Sequence, residues 1–226
     1  MATFVLIHGG GDVGWYWHLL EAELRARGHE VVAPDLPCDD PAAGLSEYAD
    51  AVVEAVGDRR DLVVVGQSYG GFTAPLVAAR LPTDLLILLA AMIPAPRETP
   101  EDWWANTGYS EASREQAKRD DGKTGNDDPL VSYYNGVPRA LAEEALHRAR
   151  EESPTAWRTP WPLDAWPKVP TKFVLCKDDH LFPPDFLRRI AAERLGIIPD
   201  EIPGCHCVAL SHPKELAELL VSYIAD

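Results

Sequence analysis

Apolar residues along the chain follow two rhythms. Short continuous runs, such as TFVLIHG at 3–9 and DLVVVGQS at 61–68, alternate with longer stretches in which apolar positions recur every three or four residues. A continuous short run reads as a strand buried on both faces, and a three-to-four repeat reads as one face of a helix. Strands are therefore predicted at 3–9, 29–37, 61–68, 83–92 and 170–176, with one more near 196–203. Helices are predicted at 14–28, 45–57, 69–82, about 183–194 and 212–224. Leu20 and Leu24 mark the inward face of the first helix and Gly28 its end; Ser46 is the expected cap of the second, and Pro82 stops the third. Pro199, which has no amide proton to give a ladder, suits an edge strand. The alternation predicts an α/β fold: a mostly parallel sheet of about six strands with helices on both faces.

Residues 94–168 break the rhythm. They hold Trp103, Trp104, Trp157, Trp161 and Trp166, and a polar stretch, RDDGKTGNDDP at 119–129, expected as an exposed loop. The segment PRALAEEALHRAREE at 138–152 has the pattern of an amphipathic helix. This block is read as a small helical cap inserted into a core domain made of 1–93 and 169–226. It should lie over the carboxyl edge of the sheet, where open α/β sheets bind ligands. Trp15, Trp103, Trp104 and Trp161 are candidate pocket walls, with the insertion's own core as their alternative place. No internal repeat is present.

Composition narrows the function classes. The chain has 226 residues, 46% of them hydrophobic, enough for one domain with a core that excludes water. A net charge of −15 without a basic cluster excludes nucleic acid as a partner and disfavours an anionic membrane surface. No apolar run approaches the roughly 20 residues of a spanning helix. The first residues lack a basic region and a cleavage site, so a cytoplasmic location is expected. Cys38, Cys176, Cys205 and Cys207 show no disulfide spacing, and the CHC at 205–207 lacks the further ligand pair a zinc site needs, so reduced structural thiols and no metal are expected. The glycine-rich HGGG at 8–11 has neither GxGxxG nor a following GK[ST], which argues against dinucleotide or phosphate binding; no cofactor is expected.

One stretch carries chemistry directly. Gly66-Gln67-Ser68-Tyr69-Gly70 is a G-x-S-x-G placed between a buried strand and a helix. Glycines permit the sharp turn that lifts the Ser68 hydroxyl out of the sheet, and the Tyr69 N–H at the first helical turn points at the same spot. A hydroxyl is a weak nucleophile until a base takes its proton. In this architecture an acid and then a histidine follow the serine, and His180, His206 and His212 come late enough to serve.

Together FVLIHGGGDVGWYWHLLEAELRARGHEVVAPDLP, VVVGQSYGG, KDDHLFPP and GCHCVALSHPKELAELL resemble the α/β-hydrolase fold family along nearly the whole chain. They are most similar to its small esterase and hydroxynitrile lyase group, which resembles plant methyl-ester esterases. The resemblance implies a triad of Ser68, Asp179 and His206, with Asp179 four residues before Pro183 and Asp178 as the neighbouring alternative. It also implies an oxyanion hole from the Gly10 and Tyr69 N–H groups, with His8 bracing the glycine loop. The expected function is hydrolysis of a small hydrophobic carboxylic ester through an acyl-enzyme. The alternatives are a hydroxynitrile lyase, a cofactor-free perhydrolase, a C–C bond hydrolase, or a non-catalytic ligand receptor of the same fold. Lyases of the group typically carry lysine after the catalytic histidine, where this chain has Cys207. The partner expected is a small ester; the oligomeric state is left open, a homodimer included.

Overall fold

The computed structural model describes residues 1–224. Its strands are β1 (Thr3–Ile7), β2 (Glu30–Val32), β3 (Leu62–Gln67), β4 (Thr83–Leu89), β5 (Thr171–Cys176) and β6 (Asp200–Ile202). They form one sheet in the order β2-β1-β3-β4-β5-β6, every neighbouring pair parallel. All residues of β1 and β3 are buried, which is why these central strands are continuously apolar instead of alternating. β6 is an edge strand, and Pro199 directly precedes it.

The helices are α1 (His18–Ala26), α2 (Leu45–Val56), α3 (Gly70–Arg80), α4 (Pro100–Asn106), α5 (Tyr109–Arg119), α6 (Pro129–Ser132), α7 (Arg139–Arg148), α8 (Pro154–Arg158), α9 (Pro184–Leu195), α10 (Val208–Ser211) and α11 (Pro213–Ser222). A 3-10 turn at Gly14–Trp17 leads into α1, whose Leu20 and Leu24 are fully buried. Five helices, α4 to α8, lie between β4 and β5, in the stretch that breaks the sequence rhythm. Trp103 of α4 packs edge-on to Phe186 of α9 at 5.7 Å and lies 5.6 Å from Phe182, fixing the segment to the core. The 119–129 stretch is exposed apart from Asp120, Thr124 and Pro129.

Three local expectations need correction. The second strand is limited to Glu30–Val32 instead of reaching 37, because Pro34 and Pro37 lack amide donors and the Leu36 N–H is taken by the His8 ring. Ser46 does not cap α2: the helix starts at Leu45, and the Glu47 carboxylate accepts the preceding Gly44 N–H at 2.8 Å. The helix expected over 138–152 stops at Arg148. Beyond it the Arg150 N–H donates to Gly11 O at 2.7 Å and the Ser153 hydroxyl to Ala43 O at 2.6 Å, so chain that would have continued the helix is tied to the loops of the sheet.

Candidate active site

The strand order reverses between β1 and β3: the chain passes from β1 outward to β2, then returns to the other side of β1. The loops after these two strands part there and leave a crevice at their carboxyl ends. Ser68 sits in it, immediately after β3, with φ of +52°. A non-glycine residue in that region is strained and persists only where its surroundings over-determine it. Here Ser68 O accepts the N–H groups of Gly71 (3.1 Å) and Met92 (2.9 Å), while the Ser68 N–H donates to Leu89 O (3.2 Å). The flanking glycines make the crowding tolerable. A β-carbon on Gly66 would lie 2.6 Å from the Ala74 β-carbon, and one on Gly70 would lie 2.7 Å from His8 O.

Asp179 and His206 come from loops after β5 and β6 and meet beneath the cavity. Asp179 Oδ2 stands 2.8 Å from His206 Nδ1. Asp179 Oδ1 accepts the Leu181 and Phe182 N–H groups, each at 2.8 Å, and the side chain is buried. Asp178 points elsewhere: it is exposed, and its Oδ2 accepts the Gly204 N–H at 3.0 Å. The pairing assigns the imidazole proton to Nδ1 and leaves Nε2 as a base. Phe182 and Tyr133 pack edge-on against the ring, at 5.3 and 5.8 Å, and Gln67 Nε2 donates to His206 O at 3.3 Å. Ser68 and His206 line one cavity of about 210 Å³. No hydrogen bond joins their side chains in this structure; such bonds are commonly long before substrate is present.

The other expected groups lie beside the same cavity, with Gly10 in its wall. Neither the Gly10 nor the Tyr69 N–H has an acceptor among the described residues. Tyr69 precedes the first turn of α3, whose aligned peptide dipoles place partial positive charge there. Its side chain is buried against Phe72 and Trp157, so only its backbone is available to a ligand. His8 lies under the loop: Nδ1 donates to Gly9 O (2.8 Å) and Nε2 accepts the Leu36 N–H (3.0 Å). Burial pushes its imidazole down to about 4, which keeps it neutral. Glu152, beyond α7, grips the same loop and is itself held by Tyr48 of α2. The Gly11 N–H donates to Glu152 Oε2 at 2.8 Å, and the Tyr48 hydroxyl donates to the other oxygen of that carboxylate.

Sequence reasoning missed Asp12, Tyr133, Tyr134 and Glu152. Asp12 and the two tyrosines line the cavity. Asp12 had a visible signal, a single charge inside a glycine-rich loop after the first strand; the tyrosines, between α6 and α7, had none. Of the candidate wall tryptophans, Trp103 and Trp161 are fully buried, with ring N–H groups donating to Ile93 O and Phe72 O at 3.0 Å each. Trp104 packs on Tyr109 and Phe182, and Trp15 stacks on His18. None of the four lines the cavity. Burial raises the thiols of Cys176, Cys205 and Cys207, the first and last of them well above the ordinary range, so they are protonated.

Comparison with known proteins identifies the family of the chain. A sequence model described as the alpha/beta hydrolase family matches residues 4–219. A rice protein, Probable esterase PIR7A of Oryza sativa subsp. indica, is 27% identical over 98% of this chain and 96% of its own length. An Arabidopsis thaliana alpha-hydroxynitrile lyase is 24% identical over 99% of this chain and 97% of its own. Among solved structures, polyneuridine aldehyde esterase superposes with a TM-score of 0.79 at 21% identity, covering 100% of both chains.

Proposed function

We propose that this chain, which belongs to the alpha/beta hydrolase family, is a serine hydrolase working through Ser68, His206 and Asp179 on a small carboxylic ester. His206 Nε2 takes the hydroxyl proton as Ser68 Oγ attacks the ester carbonyl. Asp179 holds the ring and stabilises its cation. The free N–H groups of Gly10 and Tyr69 receive the negative charge that forms on the carbonyl oxygen. His206 then gives its proton to the departing alcohol, and a water activated by the same nitrogen releases the acid from Ser68.

The observation that carries this reading is the buried Asp179–His206 pair, 2.8 Å apart, beside a serine held at positive φ in the same cavity. The cavity volume of about 210 Å³ falls below the roughly 300–1,000 Å³ typical of pockets for drug-sized ligands, which favours a small ester. Hydrolysis is favoured over cyanohydrin cleavage because Cys207, buried and protonated, supplies no cation for a departing cyanide.

The test is Ser68→Ala assayed on p-nitrophenyl acetate. Loss of a nucleophile costs about 10⁶ in kcat in subtilisin, so turnover should vanish while the thermal transition is kept. The wild type should take a fluorophosphonate label that the variant does not. Turnover retained by the folded variant would reject Ser68 as nucleophile, and cyanide release from mandelonitrile exceeding ester hydrolysis would favour the lyase.

A further inference from the structure

The cavity holds one carboxyl group that ester hydrolysis leaves without a role. Asp12 lies in the loop between β1 and the 3-10 turn, and it lines the cavity together with Ser68 and His206. Among the described residues its carboxyl makes one hydrogen bond, Oδ1 accepting the Val13 N–H at 2.9 Å. No lysine or arginine lines the cavity. The nearby Arg150 is committed elsewhere, 2.7 Å from Asp35 and 3.8 Å from Asp39. Gln67, which also lines the cavity, directs an amide N–H to His206 O.

A partly buried carboxyl with an oxygen free of protein partners is open to a hydrogen-bond donor from a ligand. Burial pushes this one up to about 7, against the pull of the Val13 N–H and of His206, with Asp35 adding to the rise. Among the described residues its other oxygen has no partner, and the residue lines the space where substrate must sit. An ionised carboxyl only accepts hydrogen bonds, so it matches a substrate donor and repels a substrate carboxylate.

We propose that Asp12 is the specificity-determining residue of this site, selecting small esters that carry a hydrogen-bond donor, a hydroxyl or a protonated amine, within a few bonds of the scissile carbonyl. This rests on the serine-hydrolase reading for the place of the carbonyl and narrows its substrate from a plain hydrophobic ester to a donor-bearing one. Rejection of the isostere follows from the desolvated acceptor left unpaired when a methyl group replaces the donor.

The test reads binding apart from chemistry. At pH 8, where the Asp12 carboxyl is ionised, Ser68→Ala protein is titrated by NMR with methyl 3-hydroxybutanoate, methyl 3-aminobutanoate and methyl 3-methylbutanoate, three esters of nearly equal shape. The hydroxy and amino esters should bind at least about tenfold more tightly than the methyl isostere, since hydrogen bonds to charged groups are the stronger class. Adding Asp12→Leu should erase that preference; adding Asp12→Asn, which keeps an acceptor but no charge, should retain part of it for the hydroxy ester and lose it for the amino ester. Equal binding of the three by Ser68→Ala, or a preference that survives Asp12→Leu, overturns the proposal. Failure of the hydrolase reading shows separately, as absence of p-nitrophenyl acetate turnover by the wild type.

Discussion

Asp179 engages His206 through one carboxylate oxygen, 2.8 Å from Nδ1, while its other oxygen is occupied by two backbone amides. The acid is therefore fixed from behind as well as in front, and it cannot rotate without stranding two buried N–H groups. Asp179→Asn should keep the fold but offer an amide N–H to Nδ1, which favours the wrong tautomer. The same change in a serine protease triad lowers kcat by about 10⁴. Asp178→Asn, at the exposed neighbour that holds only the Gly204 N–H, should leave kcat within about twofold, because no reacting group is touched. Steady-state kinetics on p-nitrophenyl acetate decide it; equal losses in the two variants would undo the assignment of the acid.

The elbow makes a prediction about stability. A β-carbon on Gly70 would meet His8 O at 2.7 Å and Ile7 O at 2.8 Å, both backbone atoms that cannot swing aside. Gly28, at φ of +84°, has nothing within 4 Å of the same position. Gly28→Ala should cost only the left-handed backbone penalty, roughly 1–2 kcal/mol. Gly70→Ala should exceed that and leave little soluble folded protein, since packed backbone must move. Thermal melts of the two variants provide the comparison. A Gly70→Ala protein as stable as Gly28→Ala would show that the turn has room.

Glu152 enters through the glycine loop after β1, the proposed oxyanion loop. Its carboxylate accepts the Gly11 N–H and the Tyr48 hydroxyl, while the Arg150 N–H holds Gly11 O. Together these contacts set the orientation of the peptide next to Gly10 without touching substrate. Glu152→Ala should let the loop drift and lower kcat by about ten- to a hundredfold, the effect of misplacing a group by an ångström, with KM little changed. Glu152→Gln keeps an oxygen for Gly11 and an amide for the tyrosine oxygen, and should recover most of the rate. A fall in KM and kcat together, unrelieved by glutamine, would make Glu152 a purely structural tie.

The strands and the elbow were legible because both are dictated locally. A buried parallel strand must be apolar along its length, and G-x-S-x-G is demanded by contacts within a few residues of the turn. The pairing of the histidine with its acid was expected only through the family resemblance, since their contact crosses 27 positions. The extent of β2 and the end of α7 were not legible, since both are set by hydrogen bonds to distant loops: Leu36 to His8, and Arg150 to Gly11. The cavity walls were the least legible. Tryptophan was the natural candidate, but two of the four rings are buried whole in the core, and Tyr133 and Tyr134 from an irregular connection took their place.

Two groups, buried His8 and part-buried Asp12, tilt stability with pH in opposite directions. His8 has its imidazole pushed from 6.5 to about 4 by burial, so the unfolded chain binds the proton more readily. The stability tied to neutral His8 is complete above about 6.5 and is lost as pH falls toward 4. Asp12 is raised from 3.8 to about 7, so here the folded state holds the proton more tightly. Its contribution is most favourable below about 4 and declines as pH rises through that window to about 7. Asp12→Asn removes the second slope and leaves the first, because asparagine stays neutral and can still accept the Val13 N–H. Relative to wild type, the variant should melt higher at pH 8, by about 2–4 °C for each kcal/mol recovered, and near the wild-type value at pH 4. The His8 effect is common to both proteins and cancels in the difference. Scanning calorimetry at the two pH values measures it, and a gain of the same size at both would mean that the Asp12 carboxyl is not desolvated in the folded protein.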